Sequence, residues 1–195
     1  MKYYQLYKIT LQISFVIVLI ALAISCLSSK KEQAPMGTAT DVNEAAIDDM
    51  DKETDAQFLV KATEINLAEI RLGNLAQQIG STKSVRDLGK MMEAEHIKAL
   101  EEITELAKTK TVTIPSTTSF DAEDAYNKLK VKSSIDFDKA YADMMVKGHQ
   151  DAVALFENTC NDSQDTDVRE WATKMLPGLK MHLEHALATL KEVKK

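Results

Sequence analysis

Four residues stand out because each interrupts an otherwise apolar helical stripe: Glu69, His96, His149 and His182. Imidazole nitrogens and a carboxylate are ligands suited to zinc, iron or copper. The same four side chains can instead hydrogen-bond to one another across helices as a buried structural layer. In that case an ionised Glu69 needs a cationic or donating partner, and a histidine supplies one. Both readings, a transition-metal site and a polar core network, stand on the sequence. The pairs Met91-Met92 and Met144-Met145 read as core filler rather than as soft copper ligands.

The stripes that carry these residues define the elements. The first helix is predicted from about Asp55 to Ile79, with Phe58, Ala62, Ile65, Glu69, Leu72, Ala76 and Ile79 stepping by four and three. Gly80 stops it, and Ser81 or Thr82 caps a second helix to about Lys108 whose stripe contains Val85, Leu88, Met92, His96, Ala99, Ile103 and Leu106. A β-branched, proline-containing connection follows from Thr109 to Phe120, and a small helix is predicted over Asp121 to Lys130. A third long helix runs from Ser134 or Asp136 to Cys160 and buries Phe137, Tyr141, Met145, His149, Ala152 and Phe156. A fourth runs from about Asp167 to Val193 through Val168, Ala172, Met175, Leu179, His182 and Ala186, with a kink expected at Pro177. Trp171 reads as a core anchor. Two tight turns and one longer middle connection make an all-α, antiparallel four-helix bundle. At about 1.5 Å of rise per residue, Glu69, His96 and His149 all lie about 20 Å from their nearer turn and His182 about 30 Å. The four can therefore meet near mid-helix.

Other chemistry finds less support. Glu93 lies three residues before His96, the spacing used in di-iron bundles, but no glutamate stands three before His182, so a two-metal pattern is incomplete. Glu157 is an additional carboxylate, and His185 is expected on the solvent side. Cys160, at a helix end with no histidine close in sequence, is read as a buried thiol and not a nucleophile. No phosphate loop, dinucleotide fingerprint or nucleophile elbow occurs. The chain has a net charge of −6 and lacks a basic cluster, which argues against nucleic acid as the main partner. A basic protein partner for the acidic exterior is a further reading.

The N-terminus indicates location. Lys2 and Lys8 precede about fifteen mostly apolar residues, the length of a signal-peptide core and short for a membrane span of about twenty. The segment ends Ala23-Ile24-Ser25-Cys26, which resembles a bacterial lipobox, implying cleavage before Cys26 and acylation of its thiol. An uncleaved anchor helix is the alternative. From Cys26 onward the chain holds 22 Lys and Arg against 30 Asp and Glu, a charge of −8. Leu27 rather than Asp after the cysteine is compatible with an outer-membrane destination. The expected organisation is a signal peptide over 1–25, lipidated Cys26 and a flexible tether over 26–53, and the helical domain over 54–195. A short helix from Asn43 to Met50 is expected within the tether.

Taken in order, Ala68-Glu-Ile-Arg-Leu-Gly-Asn-Leu-Ala76, Met92-Glu-Ala-Glu-His96, Ile114-Pro115, Phe137-Asp-Lys-Ala-Tyr141, His149-Gln-Asp-Ala-Val-Ala-Leu-Phe156 and Leu176-Pro177 with His182 are similar to a bacterial family. It is a domain-of-unknown-function family of predicted outer membrane proteins with a ferritin-like four-helix fold. The resemblance spans about Thr54 to Leu190. It implies a ferritin-like fold, and its recurrent positions fall on Glu69, His96, His149 and His182. It implies no activity, and Glu93 and His185 do not match its landmarks.

Overall fold

Three prolines and six glycines in 195 residues leave few places where a helix must stop. A computed structural model describes residues 36–195, and among them six helices and no strands are found. They are α1 (Met36–Ala46), α2 (Met50–Ile79), α3 (Lys83–Lys110), α4 (Phe120–Lys130), α5 (Ser134–Asp162) and α6 (Thr166–Val193). None of these is long and apolar enough to cross a membrane. The Ala23–Cys26 motif lies outside the described residues.

The long helices pair as two hairpins, α2 against α3 and α5 against α6, with further packing of α2 on α5 and of α3 on α6. The first turn is tightened from across the fold. Asp138 on α5 is fully buried and accepts hydrogen bonds from Ser81 N (2.8 Å), Ser81 Oγ (2.7 Å) and Thr82 N (2.8 Å). A carboxylate at the start of α3 also suits the positive end of the helix dipole. Gly80 ends α2, but its φ of −59° is not left-handed. Its need is for space, since a Cβ there would lie 2.5 Å from the Ala76 carbonyl oxygen. At the end of α3 it is Thr111, with φ of 60°, that takes the left-handed position.

Residues 36–46 differ from the sequence reading, which made them part of a tether with a helix only from Asn43. They form α1, fastened by a buried side chain. Asn43 Nδ2 donates to the Thr113 carbonyl, and Thr113 N donates to Asn43 Oδ1, both at 2.9 Å. That pair gives one strand-like rung to the α3–α4 connection, whose Ile114 is buried. Asp49 then caps α2 through Asp51 N, which moves the start of α2 ahead of Asp55. The small helix α4 is held to α2 by a two-pronged ion pair between Arg71 and Glu123, with the Arg71 guanidinium 4.0 Å over the Tyr126 ring. Helix α6 continues through Pro177, which leaves the carbonyl of Thr173 without its usual helical donor.

The core comes in two apolar clusters. One gathers Leu72, Ala76, Leu88, Met92, Phe137, Tyr141, Met145 and Ala186. The other gathers Phe58, Leu59, Ala62, Ile103, Phe156, Val168, Trp171 and Leu179. Trp171 anchors the second, its ring centroid 6.0 Å from Phe58 and 5.5 Å from Phe156. Every long helix contributes to both clusters and passes from one to the other at a polar residue. The change falls between Ala62 and Leu72 on α2, at His96 on α3, at His149 on α5 and at His182 on α6.

Candidate metal centre

His96, His149 and His182 lie at the boundary between the clusters, and each is at most 4 % exposed. Their ring centroids are 5.7 Å (His96–His149), 5.4 Å (His96–His182) and 5.3 Å (His149–His182) apart. One nitrogen from each ring can be chosen so that all three lie within 4.8 Å of one another. The spacing of the stripes thus brings all three histidines together, including His182, whose depth along its helix was the least matched.

The protonation of two rings follows from their partners. His96 Nδ1 is 2.8 Å from Asn66 Oδ1, and Asn66 spends its amide nitrogen on the Ala62 carbonyl at 2.9 Å. The oxygen can only accept, so His96 carries its proton on Nδ1. His149 Nδ1 is 2.9 Å from the Met145 carbonyl, again an acceptor only, so His149 is also the Nδ1–H form. The Nε2 lone pairs of both rings are left bare, buried and without a hydrogen-bond partner, as are both nitrogens of His182. A histidine that binds a metal typically gives its other N–H to a carbonyl or amide oxygen in this way, which fixes the tautomer and aims the ring.

The surroundings keep the rings neutral. Burial lowers the pKa of His96 well below its ordinary value, and the neighbouring His149 and His182 lower it further. Burial also lowers His149, partly offset by its bond to the Met145 carbonyl. His182 is lowered to about 4, by burial first and then by His149. Neutral imidazole is the form that ligates metal.

Glu69 is buried, 6 % exposed, but does not belong to the set of nitrogens within 4.8 Å. Its Oε1 lies against the backbone of Gly148, the residue before His149, where a Cβ would sit 3.5 Å away. Its Oε2 has no hydrogen-bond partner, and burial raises its pKa to about 8. The hydroxyl of Tyr141 is likewise buried without a partner, and its pKa is raised by burial and by the charge of Glu69. The polar layer is therefore a histidine triad with a neutral carboxyl group beside it on the side of Tyr141.

The remaining carboxylates of the two-metal pattern are engaged elsewhere. Glu93 accepts from Asn74 at 3.0 Å and from Gln77 at 2.5 Å on the α2–α3 seam. Glu157 pairs with Lys180 at 2.7 Å, and His185 is exposed. Cys160 is half-buried rather than buried, its Sγ accepting from Thr173 Oγ1 at 3.3 Å on the facing helix. Asn66 and the carbonyl of Met145 are parts of the site that the sequence reading missed. Asn66 did carry a signal, since it stands three residues before Glu69 and so on the same face of α2.

The chain matches the family described as a domain of unknown function, DUF4142, over residues 40–189. No curated protein and no solved structure matches it. The matched stretch runs from within α1 past His182, and so includes the Asn43 clasp, all but the C-terminal edge of the two clusters and the whole histidine layer. On that extent the chain belongs to the DUF4142 family.

Proposed function

We propose that this protein is a lipid-anchored protein of the bacterial envelope, of the outer membrane in particular, whose ferritin-like four-helix bundle binds one transition-metal ion through His96, His149 and His182. The observation that carries the metal reading is a count of donors and acceptors. With His96 and His149 both protonated on Nδ1, their Nε2 atoms are acceptors, and a neutral His182 adds one donor and one acceptor. One ring N–H then serves three lone pairs, and the O–H of the neutral Glu69 makes no hydrogen bond to them. A network of the histidines alone leaves buried acceptors unsatisfied, each costing about 1–3 kcal/mol. A cation takes all three lone pairs, and three imidazoles suit zinc, iron or copper. Glu69 lies beside this set as a candidate fourth ligand, reached only if its carboxyl group moves.

Metal uptake by the full-length chain in detergent tests the reading. After chelator treatment, one equivalent of zinc, iron or copper should bind, and the double variant His149→Ala, His182→Ala should bind none. Glu69→Gln should retain metal if the imidazoles are the whole set. No uptake by the wild type, and no thermal shift on adding any of the three metals, overturns it in favour of a structural polar layer.

The anchor rests on Ala23-Ile24-Ser25-Cys26 after an apolar run of signal-peptide length. Acyl chains contribute about 0.8 kcal/mol per buried CH₂, so more than one chain holds a protein at a bilayer. Mass spectrometry of the protein from its native membrane should find an N-terminus at acylated Cys26. An intact Met1 with a free Cys26 thiol would contradict it.

A further inference from the structure

A cavity of about 190 Å³ opens from the surface onto the histidine layer, and His96 and His182 line it together with Asn66. Its walls are mostly apolar, formed by Phe156 and Leu179 from the second cluster and by the half-buried Met175, with the charged Glu95 and Lys174 also lining it. Two small residues also line it, Ala99 on α3 and Gly178 on α6. A Cβ placed on Gly178 would meet nothing within 4 Å. The rim is held in place by Glu102, which accepts from Trp171 Nε1 at 3.2 Å and from Lys174 Nζ at 2.8 Å. His149 does not line this cavity and closes the triad from behind.

We propose that the metal centre is an open one, with a coordination position facing this cavity that takes a small monodentate inorganic ligand. The proposal rests on the metal reading above and adds the class of molecule that reaches it. Three protein ligands with a free position distinguish reactive zinc-type sites from closed structural ones, which have four. The triad supplies three nitrogens, and because the residues His96 and His182 line the cavity while His149 does not, an ion held by all three would have its free position on the cavity side. The volume limits the ligand. An apolar cavity of about 150 Å³ accommodates benzene, so this one holds a single small molecule and cannot enclose a nucleotide or a peptide. The apolar walls and the prior engagement of Lys174 by Glu102 leave no charged clamp for a larger anion. What remains is a small species that binds through the metal itself, with water, dioxygen and azide, of one to three heavy atoms, well within the available space.

Cobalt(II) as the metal and azide as the probe test this on the full-length chain. Cobalt should load to one equivalent, and azide should then change its visible d–d absorption. In Ala99→Phe and Gly178→Phe cobalt should still load, because neither residue belongs to the triad, while azide affinity falls about tenfold or more, equivalent to at least about 1.4 kcal/mol. Cobalt that loads in the wild type but gives a spectrum indifferent to azide overturns the open position and leaves the metal site standing. Azide binding equally to the wild type and to both narrowed variants overturns the cavity as the route. Failure of cobalt to load at all removes the metal reading itself, so the two failures are separable.

Discussion

At neutral pH Glu69 keeps a proton that the unfolded chain has given up, because burial holds its pKa at about 8 against an ordinary 4.5. The folded state therefore binds more protons than the unfolded one between those values. The stabilisation is fully present below about 4.5 and is lost as pH rises through 8. The histidines act in the opposite sense. Their folded pKa values are lowered, so their contribution is complete above the ordinary value of 6.5 and is lost as pH falls, for His182 toward about 4. Between pH 6.5 and 8 the unfolded histidines are still losing protons, so the Glu69 contribution is isolated by comparing the wild type with Glu69→Gln, which keeps the histidines and is neutral at all pH. Across that window the metal-free wild type should lose about 1.5 kcal/mol relative to Glu69→Gln, from a slope of about 1.4 kcal/mol per pH unit for one proton that flattens near pH 8. Parallel profiles of the two proteins by chemical denaturation would refute the buried-acid account. The sequence made the four polar positions legible because each breaks a period of 3.6 that the neighbouring residues keep. It could not reveal the tautomers. Those depend on Asn66 from α2 reaching His96 on α3, a contact across 30 positions of chain.

Helices α2 and α3 approach closely where both lack a side chain. A Cβ on Gly89 would lie 2.6 Å from the carbonyl oxygen of Gly73 and 2.7 Å from Ala76 Cβ, and a Cβ on Gly73 would lie 2.6 Å from the carbonyl oxygen of Gly89. These are mostly backbone atoms, which cannot swing aside unless the helices separate. An alanine in a helix interior ordinarily gains about 1 kcal/mol over glycine. Here overpacking, at about 1–3 kcal/mol, outweighs the gain. Gly89→Ala should lower the melting temperature, whereas Gly178→Ala, with open space around its Cβ, should raise it. A Gly89→Ala variant as stable as the wild type would rule out the close crossing. The four long helices were readable from stripes and caps because their signals are local. Helix α1 was not, since Met36-Gly-Thr-Ala-Thr40 carries no apolar period and its hold comes from Thr113, 70 residues away from Asn43.

The molecule as a whole is acidic and lacks a disulfide framework, so its stability rests on packing. A metal that binds only the folded state adds stability by mass action. At a free concentration one hundred times Kd this amounts to about 2.7 kcal/mol, or roughly 5–11 °C in Tm for a domain of this size. Calorimetry with and without metal should show the shift, and a chelator should reverse it. The His149→Ala, His182→Ala variant should show none.

The division of the core into two apolar clusters also bears on alignment. Four greasy stripes of similar period could slide past one another by a turn, about 5.4 Å, with little loss of apolar contact. On α3 such a slip would bring Met92 or Leu100 to the level now held by His96 and strand the imidazole among hydrocarbon. The same holds for His149 and His182 on their own helices. The polar layer thus works as an index mark, a notch at one height on each rod, that favours the one vertical setting in which the three imidazoles meet.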